Sequence, residues 1–394
     1  MGIAGGPNLN QDGLVFLYDV FDQDNSYKGE PTTNLIDAVN FTTDYNTSWN
    51  AQENVTITRN QINPIGNIDN ACLKIHPNSG SDNYMGVRGV KFASSGTNHT
   101  FSFWAKGNKA YTNFPINFGV YQVQAYVNIT TEWKYFSVQT GAGITFTDHT
   151  VHFGGWGTWT DTAFDLYLWH PQLEQKSHAT PFVNGTRSST QGLLDVAGAN
   201  QIDISNASFD VNAQMLFDGT NDYINVPYNT SHNLTNQGTI SVWINPASLT
   251  QGWYAGLVSQ STGGSANSQA YQLSWRQVSG GLFGSICNGS GTYNDVLASF
   301  PSTANAWYNI VFTWNGSLLS IYNNGILSAQ SAQTIVNQVL TTDLTIGGYT
   351  YKGAGGVDEY FNGSINNVEL FNRGFTAQEV LQNYNTKKSR FGLK

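Results

Sequence analysis

Cleaving a glycosidic bond takes two carboxylates, about 5 to 5.5 Å apart in the retaining enzymes, and the acidic residues of this sequence are not spaced for it. Asp358 and Glu359 are consecutive, so a strand would turn them to opposite faces. The 7 histidines are dispersed, with no His-x-x-x-His or His/carboxylate spacing suited to zinc. The two cysteines, Cys72 and Cys287, form no Cys-x-x-Cys and read as small apolar residues buried in a reduced chain. What the sequence does hold is aromatic rings beside glycines. His152-Phe153-Gly154-Gly155-Trp156-Gly157-Thr158-Trp159-Thr160-Asp161 is one such run, and Gln251-Gly252-Trp253-Tyr254 is another. An aromatic ring covers the apolar face of a pyranose while the sugar hydroxyls reach nearby amides, which makes Trp156, Trp159, Trp253 and Tyr254 the candidate glycan-binding residues. The alternative is that the indoles fill sheet edges, since buried aromatics dominate such cores. Trp104, Trp243 and Trp307 lie mid-strand among apolar residues and are expected inside cores.

These residues need a scaffold, and composition bounds it. A chain of 394 residues has material for two or three domains. Charged residues make up 11% of it, against roughly 25% in ordinary soluble domains, so the surface must be neutral and polar. Net charge is −9 and the 17 basic residues are scattered singly, which leaves no stripe to neutralise a row of phosphates; nucleic acid is not an expected partner. The start, Met1 to Pro7, has neither a basic nor an apolar signal region, and no stretch approaches eighteen apolar residues, so neither a secretion signal nor a membrane span is expected. Gly2 is no myristoylation site, because Gly6 stands where Ser or Thr is needed. Triplets such as Asn98-His99-Thr100 are what chance produces in a chain this rich in Asn, Ser and Thr.

Alternating β-branched and aromatic runs between Gly/Asn/Asp/Ser clusters predict antiparallel strands at 13–18, 99–105, 121–129, 239–244, 307–314 and 318–322. Asn323-Asn324-Gly325 predicts a tight hairpin, because Asn and Gly tolerate positive φ. Thr376-Ala377-Gln378-Glu379 is a capping box that opens a helix over 379–384, with Val380, Leu381 and Tyr384 on one face. The two halves share a theme. His99 to Lys106 parallels Gly238 to Asn245, each with one Trp, and Thr130 to Phe136 parallels Ala304 to Ile310, each containing Trp then an aromatic. Two sandwiches of similar topology explain this. The predicted fold is all-β: two antiparallel jelly-roll β-sandwiches with a short C-terminal helix.

Four segments in order, Phe217-Asp218-Gly219-Thr220-Asn221-Asp222-Tyr223-Ile224, Thr239 to Trp243, Trp307 to Gly316 and Phe361 to Arg373, resemble the laminin-G-like, concanavalin-A-like jelly rolls over about residues 190 to 390. The head, Gly13 to Asp19, and the tail, Gln382 to Leu393, resemble the ends of jelly-roll proteins encoded by tailed phages, especially of marine bacteria. In those proteins an Asp-Leu-Ser-Gly-like turn follows the head strand closely. Here its counterpart, Leu193 to Gly198, comes only after a long intervening stretch. The expected organisation is therefore a discontinuous lectin-like domain, 1–28 plus 188–394, interrupted by an inserted sandwich at 29–187. The insert's framing, Pro31 to Ile36 and Trp169 to Phe182, resembles carbohydrate-binding-module-like sandwiches of phage tail and fibre proteins.

The resemblance implies a virion protein at the particle surface, a fibre, spike or capsid decoration, non-enzymatic and binding host cell-surface polysaccharide. Other virion proteins are the expected partners and a homo-oligomer the expected state. No cofactor is required, but relatives often hold a structural calcium, for which Asp218, Asn221, Asp222 and Asn366 offer oxygens; the same residues are ordinary turn formers. A second reading is a purely architectural virion protein that binds no sugar. A third is a secreted polysaccharide hydrolase, but the Glu-x-Asp-x-Glu strand of glucanases of this fold has no counterpart, since Gln201-Ile202-Asp203-Ile204-Ser205 lacks both glutamates.

Overall fold

Period-two alternation resolves into antiparallel strands throughout the computed structural model, which describes residues 9–35, 49–80, 84–88, 98–118, 123–140, 149–154, 159–198, 200–211, 214–265, 268–288, 290–334, 337–351 and 356–394. The chain divides into two units. One comprises Met1–Glu30, Ser188–Asp210 and Gln214–Lys394; the other comprises Pro31–Arg187 with Val211–Ala213.

In the first unit an eight-stranded sheet faces a six-stranded one. The last strand, Asn362–Phe371, pairs with Gln237–Pro246 on one edge. Its other edge is shared by Leu14–Asp19 and Met215–Asp218. The head strand also takes the turn that follows the insert: the Leu17 N–H donates to Asp195 Oδ1 (2.9 Å) and the Val196 N–H to the Leu17 carbonyl (2.7 Å). The six-stranded sheet runs Ile224–Val226, Leu344–Ile346, Ala255–Ser261, Gln269–Arg276, Gly281–Asn288, Thr292–Ser299. Phe16, Phe217, Ile240, Leu273, Trp275, Phe312 and Val368 fill the space between the sheets. The unit is a β-sandwich of two antiparallel sheets.

The second unit packs two five-stranded sheets around Phe101, Phe103, Phe114, Ile116, Phe153, Trp159 and Leu166. The theme shared by the two halves has the same meaning in both: Thr100–Gly107 pairs with Lys134–Gln139, as Gln237–Pro246 pairs with Tyr308–Asn315. Of the strand expected at 121–129, residues 123–129 form it and 121–122 lie outside the described residues.

The hairpin forms with Asn323 opposite Ile326, and Asn324 (φ 51°) and Gly325 (φ 78°) make its turn. Both positive φ values match the twist of the flanking strands. The helix spans Ala377–Lys387, and the capping box is complete: Glu379 N–H donates to the Thr376 hydroxyl, and Thr376 N–H donates to Glu379 Oε2. Its buried side is Val380, Asn383 and Lys387, whereas Leu381 is 44% exposed, a departure from the expected apolar face. A charge replaces an apolar residue there because Lys387 Nζ reaches Glu369 Oε1 of the last strand at 2.6 Å, with both side chains 4% exposed. Cys72 and Cys287 are buried free thiols, each pushed up to about 12 by burial.

Removing one member of a buried ion pair strands the other, at a cost of roughly 3–5 kcal/mol. Lys387→Met is therefore expected to lower the urea-unfolding free energy by about that amount, while Lys387→Met with Glu369→Gln recovers most of it. Glu379 gives a second check. Burial works to raise its pKa, but hydrogen bonds from Arg373 and Thr376 outweigh it and bring it from 4.5 down to about 2. A carboxylate depressed on folding stabilises the protein above its unfolded value and loses that contribution as pH falls through the folded value. Thermal stability should thus decline between about pH 4.5 and 2, and Glu379→Gln should flatten that limb; an identical acid limb in the variant would refute the assignment.

Candidate functional site

The strand Gln269–Arg276 sends Tyr271, Leu273 and Trp275 into the core. Alternation therefore turns Gln272, Ser274 and Arg276 to the opposite face. Register extends this into a polar row across five strands: Thr345, Ser259, Gln272, Ser285 and Asp295 are successive partners. Ser259, Gln272 and Ser285 are at most 2% exposed, so this outer face is itself covered. Tyrosines and short loops supply the cover and leave a cavity of about 170 Å³.

Tyr254 and Tyr351 stack at one wall, ring centroids 4.3 Å apart. The Arg276 guanidinium lies over Tyr254 at 4.8 Å and over Phe283 at 4.2 Å. Opposite, Asp295 accepts from the Ser285 hydroxyl at 2.6 Å. Tyr349 donates to Gln269 Oε1 at 2.9 Å, and the Tyr293 hydroxyl donates to the Gly264 carbonyl. Burial raises the pKa of Asp295 against the opposing pull of Ser285 and Arg276. Burial also works to raise the pKa of Tyr254, but hydrogen bonds with Arg276 and Tyr351 leave it below its ordinary value. Two donors in the lining, Gln269 Nε2 and Arg276 Nε, are buried with no hydrogen-bond partner. A buried unsatisfied donor costs roughly 1–3 kcal/mol, and both donors belong to residues that line the cavity. The lining carries one carboxylate, Asp295, among the described residues, and beside it Glu359 Oε2 accepts from the Tyr254 N–H at 3.3 Å.

The structure treats the sequence candidates unequally. Tyr254 lines the cavity, and Trp253, its neighbour in the turn, is 66% exposed. Trp159 is fully buried in the core of the inserted unit, edge-on to Phe114 at 5.0 Å, and is corrected to a packing residue. Trp156 lies outside the described residues. Of the tryptophans expected in cores, Trp243 is buried, but under Phe391 (4.0 Å, 3° between planes) on the outer side of its sheet, and Trp104 and Trp307 are only half-buried. The cavity residues missed in the sequence are Tyr349, Tyr351, Arg276, Gln269, Gln272, Phe283, Tyr293 and Asp295. For Gln272 and Arg276 the signal was present in the alternation of 269–276; for Tyr351 it was not.

The calcium donors do not assemble. Asp218 Oδ1 accepts from the N–H groups of Thr220 and Asn221, and Asp222 accepts from the Ser208 hydroxyl and the Asp218 N–H. These oxygens are engaged in closing their own turn. The strand partner of Asp218 is Asn362, which puts Asn366 four residues further along, about 13 Å away at the rise of an extended strand. Among the described residues no group of three or more His, Cys, Asp or Glu side chains is arranged to hold a metal. The donor set does not fit calcium.

With fold and cavity defined, relatives can be placed. Residues 218–381 match the family described as the concanavalin A-like lectin/glucanases superfamily. No curated protein matches the chain. Among solved structures, the binding domain of Paraclostridial mosquitocidal protein 1 is similar at 17% identity, over 49% of this chain and 49% of that one, TM-score 0.38. The ligand-binding domain of botulinum neurotoxin serotype D, solved with N-acetylneuraminic acid, is similar at 15% identity over 50% and 49%, TM-score 0.39. Domain 4 of an extracellular arabinanase from Geobacillus stearothermophilus, solved with arabinotriose, is similar at 15% identity over 48% and 82%, TM-score 0.34. The chain spans about half the length of the two toxin domains.

Because the Asp218 turn is closed by its own hydrogen bonds, chelation is expected to leave the thermal midpoint of the purified protein unchanged. A fall of several degrees with EDTA, reversed by calcium, would restore a metal role for that turn.

Proposed function

We propose that this chain is a non-enzymatic carbohydrate-binding protein displayed on the exterior of a phage particle, and that the cavity between Tyr254, Tyr351, Arg276 and Asp295 takes the sugar. The observation that carries the binding half is a small polar cavity walled by the stacked Tyr254 and Tyr351, with the Arg276 guanidinium over Tyr254 and Phe283 and Asp295 in the same lining. A pyranose offers apolar C–H faces to the rings and oxygens to the polar lining. The cavity, about 170 Å³, is smaller than the roughly 300–1,000 Å³ typical of sites for drug-sized ligands, which suits one sugar residue at the end or edge of a glycan. The low charge content supports the same ligand class, because neutral hydroxyl and amide chemistry recognises sugars without ions. The virion half rests on the likeness of the head and tail segments to phage jelly rolls, with other virion proteins and further copies of this chain as its neighbours.

Retention of the purified protein on immobilised host polysaccharide is the test. Arg276→Ala and Tyr254→Ala are each expected to weaken it at least tenfold, about 1.4 kcal/mol, with the fold intact by circular dichroism. Unchanged retention in both would remove the cavity as the site, and no retention on any host polysaccharide would favour the architectural reading. Release of reducing sugar, abolished by Asp295→Asn, would replace binding with hydrolysis. Immunogold imaging of particles tests the location.

A further inference from the structure

In the inserted unit, Thr100–Gly107 turns Phe101, Phe103 and Ala105 into the core and therefore Ser102, Trp104 and Lys106 outward. Its neighbours in register continue the outward face. Tyr135 stands opposite Trp104 on one side and Trp169 on the other, a row of three rings across three strands. Trp104 and Tyr135 have centroids 5.5 Å apart, and Tyr135 is 46% exposed. Beside that row, Lys106 Nζ lies 5.3 Å from the Trp133 ring and 5.2 Å from the Tyr167 ring.

Several features fix this row beyond what the core requires. The Trp169 indole N–H donates to Asp69 Oδ2 at 2.7 Å. A bulge follows Trp169, and the next residue, His170, holds φ 51°. His170 then stacks between Trp169 (3.4 Å) and Phe182 (3.8 Å). A non-glycine residue held at positive φ is strained, and the bulge re-aims the side chain before it.

We propose that this face is a second glycan-binding platform, and that its ligand is an acidic polysaccharide whose pyranose faces lie on Trp104, Tyr135 and Trp169 and whose carboxylates meet Lys106. The face favours a sugar by the chemistry of the row itself: three rings, with the Ser102 and Ser137 hydroxyls and the Lys106 amine on the same side of the same strands, match the C–H faces and oxygens of a saccharide. Across three strands at about 4.8 Å spacing, the ring row is as long as a disaccharide. Charge selects the acidic class. Lys106 makes no ion pair among the described residues, so its charge rests on two rings and is open to an incoming anion. The platform is distinct from the Tyr254 cavity and stands or falls without it.

The full-length chain is titrated with polygalacturonate oligomers and, for comparison, with the neutral cellohexaose, following tryptophan fluorescence and heat. Tighter binding of the acidic oligomer is expected, weakened at least tenfold by Tyr135→Ala or Trp104→Ala. Lys106→Met should abolish the acidic preference, Lys106→Arg should retain it, and Arg276→Ala should leave it unchanged. Tyr135→Ala carries the test if Trp104→Ala fails to fold. The proposal is overturned if neither oligomer binds, if cellohexaose binds equally well, if Tyr135→Ala has no effect, or if only Arg276→Ala removes binding. It is also overturned if the face mediates a dimer that Tyr135→Ala dissociates.

Discussion

The C-terminal sandwich closes on its last strand. Asn362–Phe371 gives one whole edge to Gln237–Pro246 and divides the other between the head strand, near Val368 to Phe371, and Met215–Asp218, near Gly363. Contacts between residues so distant in sequence are slow to form, but the entropy of closing a loop grows only with the logarithm of its length. An inserted unit with its own core can therefore sit between the head strand and the rest at modest thermodynamic cost. Polar contacts then hold the head strand and the C-terminal segment against the last strand. Lys387 bonds both Glu369 and Asn367, Asn367 donates to the Tyr18 carbonyl, and Arg390 grips both oxygens of Asp19 at 2.6 and 3.0 Å. The two chain ends are thereby tied to one strand.

Burial of one face is all that an antiparallel sheet needs, and three of the sheets treat the other face differently. The eight-stranded sheet covers part of its outer side with the C-terminal segment, where Phe391 stacks on Trp243 and touches Trp307 and Phe21. The six-stranded sheet roofs a polar row with tyrosines and leaves space beneath. One sheet of the insert leaves Tyr135 exposed and Trp104 and Trp169 half-buried. Packing accounts for the first arrangement. It does not account for Gln269 and Arg276 donors left without partners in the second, or for the strained His170 in the third.

Parity separates what the sequence disclosed from what it hid. Strands, hairpin, capping box and the paired Trp themes follow from short-range pattern, and each has a direct counterpart in the register. Trp104 was misplaced because its neighbours are apolar, yet it is out of phase with Phe101, Phe103 and Ala105, and phase decides the face in a strand. Trp159 lies in no strand, so it has no phase to read, and only the packed core shows it buried. Tyr254 was legible from its glycine-flanked turn, and Arg276 could have been found by extending the alternation of Tyr271, Leu273 and Trp275. Tyr351 could not. It reaches Tyr254 because Gly348–Tyr349 pairs with Glu359–Tyr360 and the Tyr351 N–H bonds Asp358, a long-range arrangement that no local window contains.

Sparse charge gives the two outer faces their character. Lys74, Lys109, Arg373, Lys387 and Arg390 are held in ion pairs, where their charge is largely answered. Arg276 and Lys106 are held on aromatic faces and make no ion pair among the described residues. A ring quadrupole positions a cation at about 0.5–1 kcal/mol without neutralising it, so the charge stays available to an acceptor while the side chain loses little further freedom on binding. Each of these cations stands where exposed or half-covered rings offer a stacking surface. A ligand with both apolar C–H faces and oxygen acceptors in one small unit satisfies the two requirements together, and a saccharide is such a ligand.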